Sequence, residues 1–251
     1  MYLYNVNGSK ILPNSEADIF NLRSIGAGII NGTIKKISLI GDSITDGAGG
    51  TGYNGSASTA LSTNTAGYCW ANMLKAYLGA KYGVEVTNYG QYGSGVTQQV
   101  DQFATTITAD TDLVIWLTGT NNRMAMETYI SVLPGAIESA MSKCANVIVM
   151  SGIPATEANE TGAERDCTMW DIANIVTESA IAKGCKYLPM YNKFSEYCED
   201  KGVEVGTLLK DGLHPNDAGY LVMLKILLRE LGIPVAFYDD LSVNGDYYPF
   251  T

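Results

Sequence analysis

Apolar runs bounded by turn residues alternate along this chain with segments whose apolar positions recur at helical spacing. That alternation is the pattern of a parallel sheet covered on both faces by helices. The run at 36–41 predicts a first strand. Trp70, Met73, Leu74, Tyr77 and Leu78 predict a helix over 67–82 that Gly83 ends. A second strand is expected over 84–88, a helix over 97–107, and a buried strand, apolar on both faces, over 112–118. Residues 124–143 read as a helix that Pro134 kinks or divides, and 146–150 as the fourth strand. A Glu/Thr/Asn-rich loop over 153–164 leads to a helix over 169–183 that stops at Gly184. Residues 186–190 predict a short edge strand, since Pro189 cannot donate to a ladder, and 217–231 a last helix.

Three segments fall outside this rhythm. Residues 1–34 carry weak strand signals only. Residues 48–66, almost entirely Gly, Ser, Thr, Asn and Ala, have the composition of a mobile loop. The aromatic tail 238–251 is expected to pack on the domain or to join it to something else. With no internal repeat, the simplest organisation is one domain over 35–251, with 1–34 as an extension packing on it.

Composition narrows the function classes. The chain has 251 residues, 46% hydrophobic and only 17% charged, so it can bury a large core. A net charge of −10 without any Lys/Arg run argues against a nucleic-acid partner. No apolar stretch reaches the roughly 20 residues that cross a bilayer, so no membrane partner is expected. The five cysteines are odd in number and form no CxxC pair, which suggests neither a disulfide framework nor a zinc site. They read as small buried hydrophobes. The N-terminus lacks the basic and apolar regions of a secretory signal, so the expected compartment is the cytoplasm unless an exporting segment lies outside this sequence.

Ligands of open parallel sheets bind at the carboxyl ends of the strands. Four segments stand there or near the C-terminus: Gly41-Asp-Ser-Ile-Thr-Asp-Gly47, Asn88-Tyr-Gly-Gln-Tyr-Gly93, Gly119-Thr-Asn-Asn122 and Asp211-Gly-Leu-His-Pro215. A serine hydroxyl is a poor nucleophile until a base removes its proton, and imidazole suits that task near neutral pH. The chain contains one histidine. If Ser43 acts with such help, His214 is its base by elimination, and Asp211, three residues earlier, is placed to orient the ring. The reaction also needs donors for the oxyanion, and the N–H groups of Ser43 and Gly93 with the Asn121 side-chain amide can supply them. Asp42 is expected to orient the Ser43 turn, and Asp46, Arg123 and Asp217 to make local hydrogen bonds.

These four segments resemble the blocks that define the SGNH hydrolases, also called GDSL esterases and lipases, over about 36–231. The resemblance implies a flavodoxin-like three-layer α/β/α sandwich with a parallel sheet; no cofactor is expected, and no metal, since a single His and no Cys pair leave only carboxylates as ligands. It implies Ser43 as nucleophile, Asp211 and His214 as its partners, and Gly93 and Asn121 as oxyanion donors. Two positions depart from the family pattern. Ile44 stands where the name-giving motif has Leu, a form more similar to the carbohydrate esterases than to the lipases. Asn122 stands where Asp is usual, which bears on what supports Asn121. The implied activity is hydrolysis of short acyl esters, O-acetyl groups on carbohydrate first. The alternatives are a lipase or thioesterase for longer chains, or a binding module that has lost catalysis.

Overall fold

In the computed structural model, which describes residues 16–55, 61, 67–160 and 165–234, five apolar segments pair as strands: β1 (Lys36–Gly41), β2 (Glu85–Gly90), β3 (Leu113–Leu117), β4 (Val147–Met150) and β5 (Lys186–Leu188). All neighbours are parallel, in the order β2-β1-β3-β4-β5. This is the order of the flavodoxin-like fold that the resemblance implied. Because successive side chains of a strand point to opposite faces, each buried strand feeds two cores. Leu113, Ile115 and Leu117 of β3 join one, while Val114 and Trp116 join the other.

The helices divide between those cores. In chain order they are α1 (Glu16–Ile19), α2 (Arg23–Ile30), α3 (Ser43–Asp46), α4 (Trp70–Tyr82), α5 (Val96–Asp101), α6 (Phe103–Thr106), α7 (Met126–Lys143), α8 (Glu157–Glu160), α9 (Met169–Lys183), α10 (Met190–Lys201) and α11 (Asp217–Glu230). Buried residues of α2, α4, α10 and α11 pack on one face of the sheet, and those of α6, α7 and α9 on the other. The three-layer sandwich follows. Local chemistry sets the ends: Thr168 and Asp171 form a capping box at the start of α9, and Gly184, in the left-handed region at φ 63°, closes it.

Several expectations need correction. Residues 16–34 hold α1 and α2 rather than strand, with Leu22, Ile25 and Ile29 in the core. Gly26 and Gly28 lower helix propensity and hid this element. Gly26 is needed, because a Cβ there would lie 1.8 Å from the Leu231 carbonyl oxygen at the end of α11. Pro134 does not divide α7, which runs unbroken through it on a buried stripe of Tyr129, Leu133, Ala136, Ile137 and Ala140. The helix expected over 97–107 is two short pieces meeting at Gln102. The strand at 186–190 ends at Leu188, and Pro189 instead starts α10, which the sequence reading missed.

The glycine-rich segment after β1 is anchored where it is described. Ala48 and Gly50 are buried, the Thr51 N–H donates to Asp217 Oδ1 at 2.7 Å, and Leu61 bridges to Gln91. Residues 56–60 and 62–66 of that segment, residues 1–15 and the aromatic tail lie outside the described residues. All five cysteines are free and buried. Among the described residues no helix is long and apolar enough to cross a membrane, and no three His, Cys, Asp or Glu side chains group to hold a metal ion.

Candidate active site

The turn that carries Ser43 is built by close packing at the carboxyl ends of β1 and β2. Asp42 caps α3, its Oδ1 accepting the Ile44 N–H at 2.9 Å, and this sets Ser43 as the first helical residue. A Cβ on Gly90 would stand 2.2 Å from the Asp46 backbone nitrogen, so only glycine lets β2 approach α3 this closely. Asn88, at the head of the second block, donates from Nδ2 to the Thr45 carbonyl at 2.9 Å and ties α3 to β2 from the side.

Ser43, 171 residues away from His214 in the chain, meets it at 2.9 Å between Oγ and Nε2. The other ring nitrogen, Nδ1, lies 2.8 Å from Asp211 Oδ2. Asp211 Oδ1 accepts the backbone N–H groups of His214 at 2.8 Å and Leu213 at 3.1 Å. Partial burial pushes the Asp211 carboxyl up, yet the hydrogen bonds from the His214 ring and from these amides outweigh it and hold the group below its ordinary value. An acceptor fixed on Nδ1 favours the tautomer that carries its proton there and leaves Nε2 free to accept one from Ser43.

The loop after β4 braces this acid–base arm. Thr156 N–H donates to the Gly212 carbonyl at 2.9 Å and Asn159 Nδ2 to the Asp211 carbonyl at 3.3 Å. Arg123 joins the brace by donating from its guanidinium to the Asn159 carbonyl at 2.5 Å and to the Thr120 carbonyl at 3.0 Å.

The other expected oxyanion donors, Gly93 and Asn121, lie on the turns after β2 and β3. Gly93 sits at φ 72°, in the left-handed region that favours glycine. Among the described residues its N–H and that of Ser43 donate to no protein acceptor. Asn121 spends one amide hydrogen on the Ser94 carbonyl at 2.9 Å, which aims the side chain and leaves its second hydrogen. Asn122 supplies the support that its difference from Asp put in question: its Oδ1 accepts the Val96 N–H at 2.9 Å, fastening the β3 turn to the start of α5. An amide oxygen serves this role as a carboxylate would.

The remaining polar residues fall where local roles place them. Asp42 is fully buried, and burial pushes its carboxyl up against the hydrogen bond from the Ile44 N–H that favours the ion. Asp46 accepts from the Tyr53 hydroxyl at 2.6 Å, fixing the glycine-rich segment on α3, and Asp217 holds Thr51. One aromatic neighbour escaped the sequence reading. The Tyr92 ring stacks beside His214 with centroids 6.1 Å apart and planes at 21°. Its place next to Gly93 was the only available signal.

Residues 39–222 match the GDSL-like Lipase/Acylhydrolase family. The chain belongs to that family and is an ester hydrolase. Among curated proteins none matches. Among solved structures, LAE5, described as an alpha/beta hydrolase enzyme from the metagenome of Lake Arreo, Spain, is similar at 23% identity and a TM-score of 0.63, over 79% of this chain and 95% of that one. A variant of Axe2, an acetyl xylan esterase from Geobacillus stearothermophilus, is similar at 22% identity and a TM-score of 0.62, over 80% of this chain and 96% of that one. These likenesses are of fold.

Proposed function

We propose that the protein hydrolyses short acyl esters, acetyl groups on carbohydrate hydroxyls first, through a covalent acyl-enzyme at Ser43. The continuous line of contacts Asp211–His214–Ser43, at 2.8 and 2.9 Å, carries the reading. Ser43 Oγ attacks the ester carbonyl as its proton passes to His214 Nε2. The carbonyl oxygen becomes an oxyanion held by the Ser43 and Gly93 N–H groups and the free amide hydrogen of Asn121. When the C–O bond breaks, His214 returns the proton to the departing alcohol. Water, deprotonated by the same ring, then splits the acyl-enzyme and restores Ser43. Asp211 holds the ring and offsets the positive charge that develops on it.

Two observations favour a small acyl group and a polar alcohol. Among the described residues the exposed large apolar side chains are Ile30, Met124, Ile130, Met141 and Trp170. Only Met124 and Trp170 stand at the carboxyl edge of the sheet, too few to line a groove for a long chain. The second is the likeness of fold to an acetyl xylan esterase, together with an Ile44-type first block that resembles carbohydrate esterases.

An acyl-length series of 4-nitrophenyl esters, run beside acetate release from acetylated xylo-oligosaccharides, tests the reading. Acetyl is expected to give the highest kcat/KM. A kcat/KM that climbs steadily from C2 to C8, with no acetate freed from glycan, would move the assignment to a lipase or thioesterase, where each buried CH₂ gains about 0.8 kcal/mol. Absence of covalent labelling by an organophosphonate would mark a module without catalysis.

A further inference from the structure

Trp170 opens α9 and is exposed at 45%, whereas the other two tryptophans, Trp70 and Trp116, are buried at 1% and 0%. Its ring lies 5.6 Å from that of half-buried Tyr191, with planes tilted by 56°. Both residues occupy the first turns of helices that follow strands, α9 after β4 and α10 after β5. They therefore stand on the carboxyl edge, the edge that carries Ser43 and Asn121. Their anchors confirm the placement. Tyr191 N–H donates to Ser151 Oγ, just past β4, at 3.0 Å, and Met169 N–H donates to Glu160 Oε2 at 2.6 Å. Glu160 also accepts from Ala155, beside the Thr156 that braces the Asp211 loop. From β1 to β5 is three strand spacings, about 14 Å.

We propose that Trp170 and Tyr191 form a shelf on which a neutral sugar residue of an oligosaccharide stacks while an acetyl group further along the same glycan reaches Ser43. The inference rests on the carbohydrate reading given above. Pyranose rings present an apolar C–H face to aromatic rings and hydroxyls to the rim, and the rim here carries the carboxylates of Glu160 and Asp171. Both lie near enough to add to the upward push that burial exerts on the Tyr191 hydroxyl. Negative charge there, on a chain of net charge −10, disfavours acidic glycans. A protein partner fits less well. Two aromatic side chains offer at most about 500 Å², below the ~800 Å² per partner of a stable interface.

Intrinsic fluorescence gives a readout independent of catalysis, since Trp170 is the one solvent-facing tryptophan of three. Titrating the intact protein with xylohexaose, cellohexaose and mannohexaose should change the emission saturably for at least one of them, and an oligogalacturonide should not. In Trp170→Ala the change should vanish. KM for the matching acetylated oligosaccharide should rise about five- to tenfold with kcat kept. Turnover of 4-nitrophenyl acetate, too small to reach the shelf, should stay within twofold. The proposal is overturned if no neutral hexasaccharide alters the emission, if Trp170→Ala weakens both substrates equally, or if that variant changes the oligomeric state while glycans leave the parent unmoved. A parent that binds glycan through Trp170 but cleaves no ester supports the shelf and sinks only the esterase reading.

Discussion

Ser43 is only 3% exposed and its hydroxyl faces His214 Nε2. Removing that oxygen changes the chemistry far more than the packing. Ser43→Ala should lower turnover of 4-nitrophenyl acetate by about 10³-fold or more, with little shift in the unfolding midpoint. Near-parental activity would exclude Ser43 as nucleophile. Asn121→Ala should lower kcat by roughly 10² to 10³-fold and KM much less, because its free hydrogen meets charge only in the transition state. An effect confined to KM would make it a substrate-binding residue instead. Asp211 links the site to pH through stability. Its carboxyl sits lower in the folded state than its ordinary 3.8. The stability it contributes is therefore complete above the unfolded value and lost as pH falls through the folded one. The gap in unfolding midpoint between the parent and Asp211→Asn should hold from neutral pH down to about 4 and shrink below it. Half-exposure keeps that gap small, and a gap that widens in acid would contradict the sign.

At the scale of elements, the sequence exposed whatever rests on strong local signals. The Gly184 stop closes α9 at 169–183 as expected, and the run of β3 is apolar on both faces. What stayed hidden depends on tertiary contact. α10 buries only Met190, Phe194 and Cys198, one residue per turn, a stripe too narrow to stand out from a polar helix. α2 is masked by glycines whose value lies in a neighbour distant along the chain. Two alanine substitutions separate these effects. Gly26→Ala should destabilise by about 1–3 kcal/mol, because its methyl overlaps the Leu231 carbonyl oxygen. Gly135→Ala, in α7 with nothing within 4 Å of the added carbon, should stabilise by about 0.4–1 kcal/mol. Urea unfolding of both variants reads the two signs, and a stabilised Gly26→Ala would mean that α2 is not pressed against α11.

For the molecule as a whole, the meeting of Ser43, His214 and Asp211 was legible because chemistry restricts residue types at strand ends: one histidine, a serine after a Gly-Asp pair, an Asp-x-x-His spacing. The neighbours Tyr92 and Asn88 were not, since an aromatic ring and an amide suit many places and only the assembled strand ends show their use. The cysteines belong to this scale as well. All five are buried, and burial pushes the thiols of Cys69 and Cys185 up to about 12 and those of Cys167 and Cys198 up to about 11. Little thiolate therefore exists near pH 8 in the native protein. A disulfide reagent should react slowly with the folded chain and promptly with five thiols once it is denatured. A fast native burst of even one equivalent would contradict the burial.

The 171-residue separation between Ser43 and His214 also governs when the protein becomes competent. β1 lies between β2 and β3 in the sheet, and all three are encoded before the halfway point of the chain. Those three strands can join while a ribosome is still adding the remainder. Hydrolytic capacity waits for the final loop. In refolding experiments, recovery of esterase turnover should trail recovery of far-ultraviolet ellipticity, so that the onset of activity times the last closure of the chain.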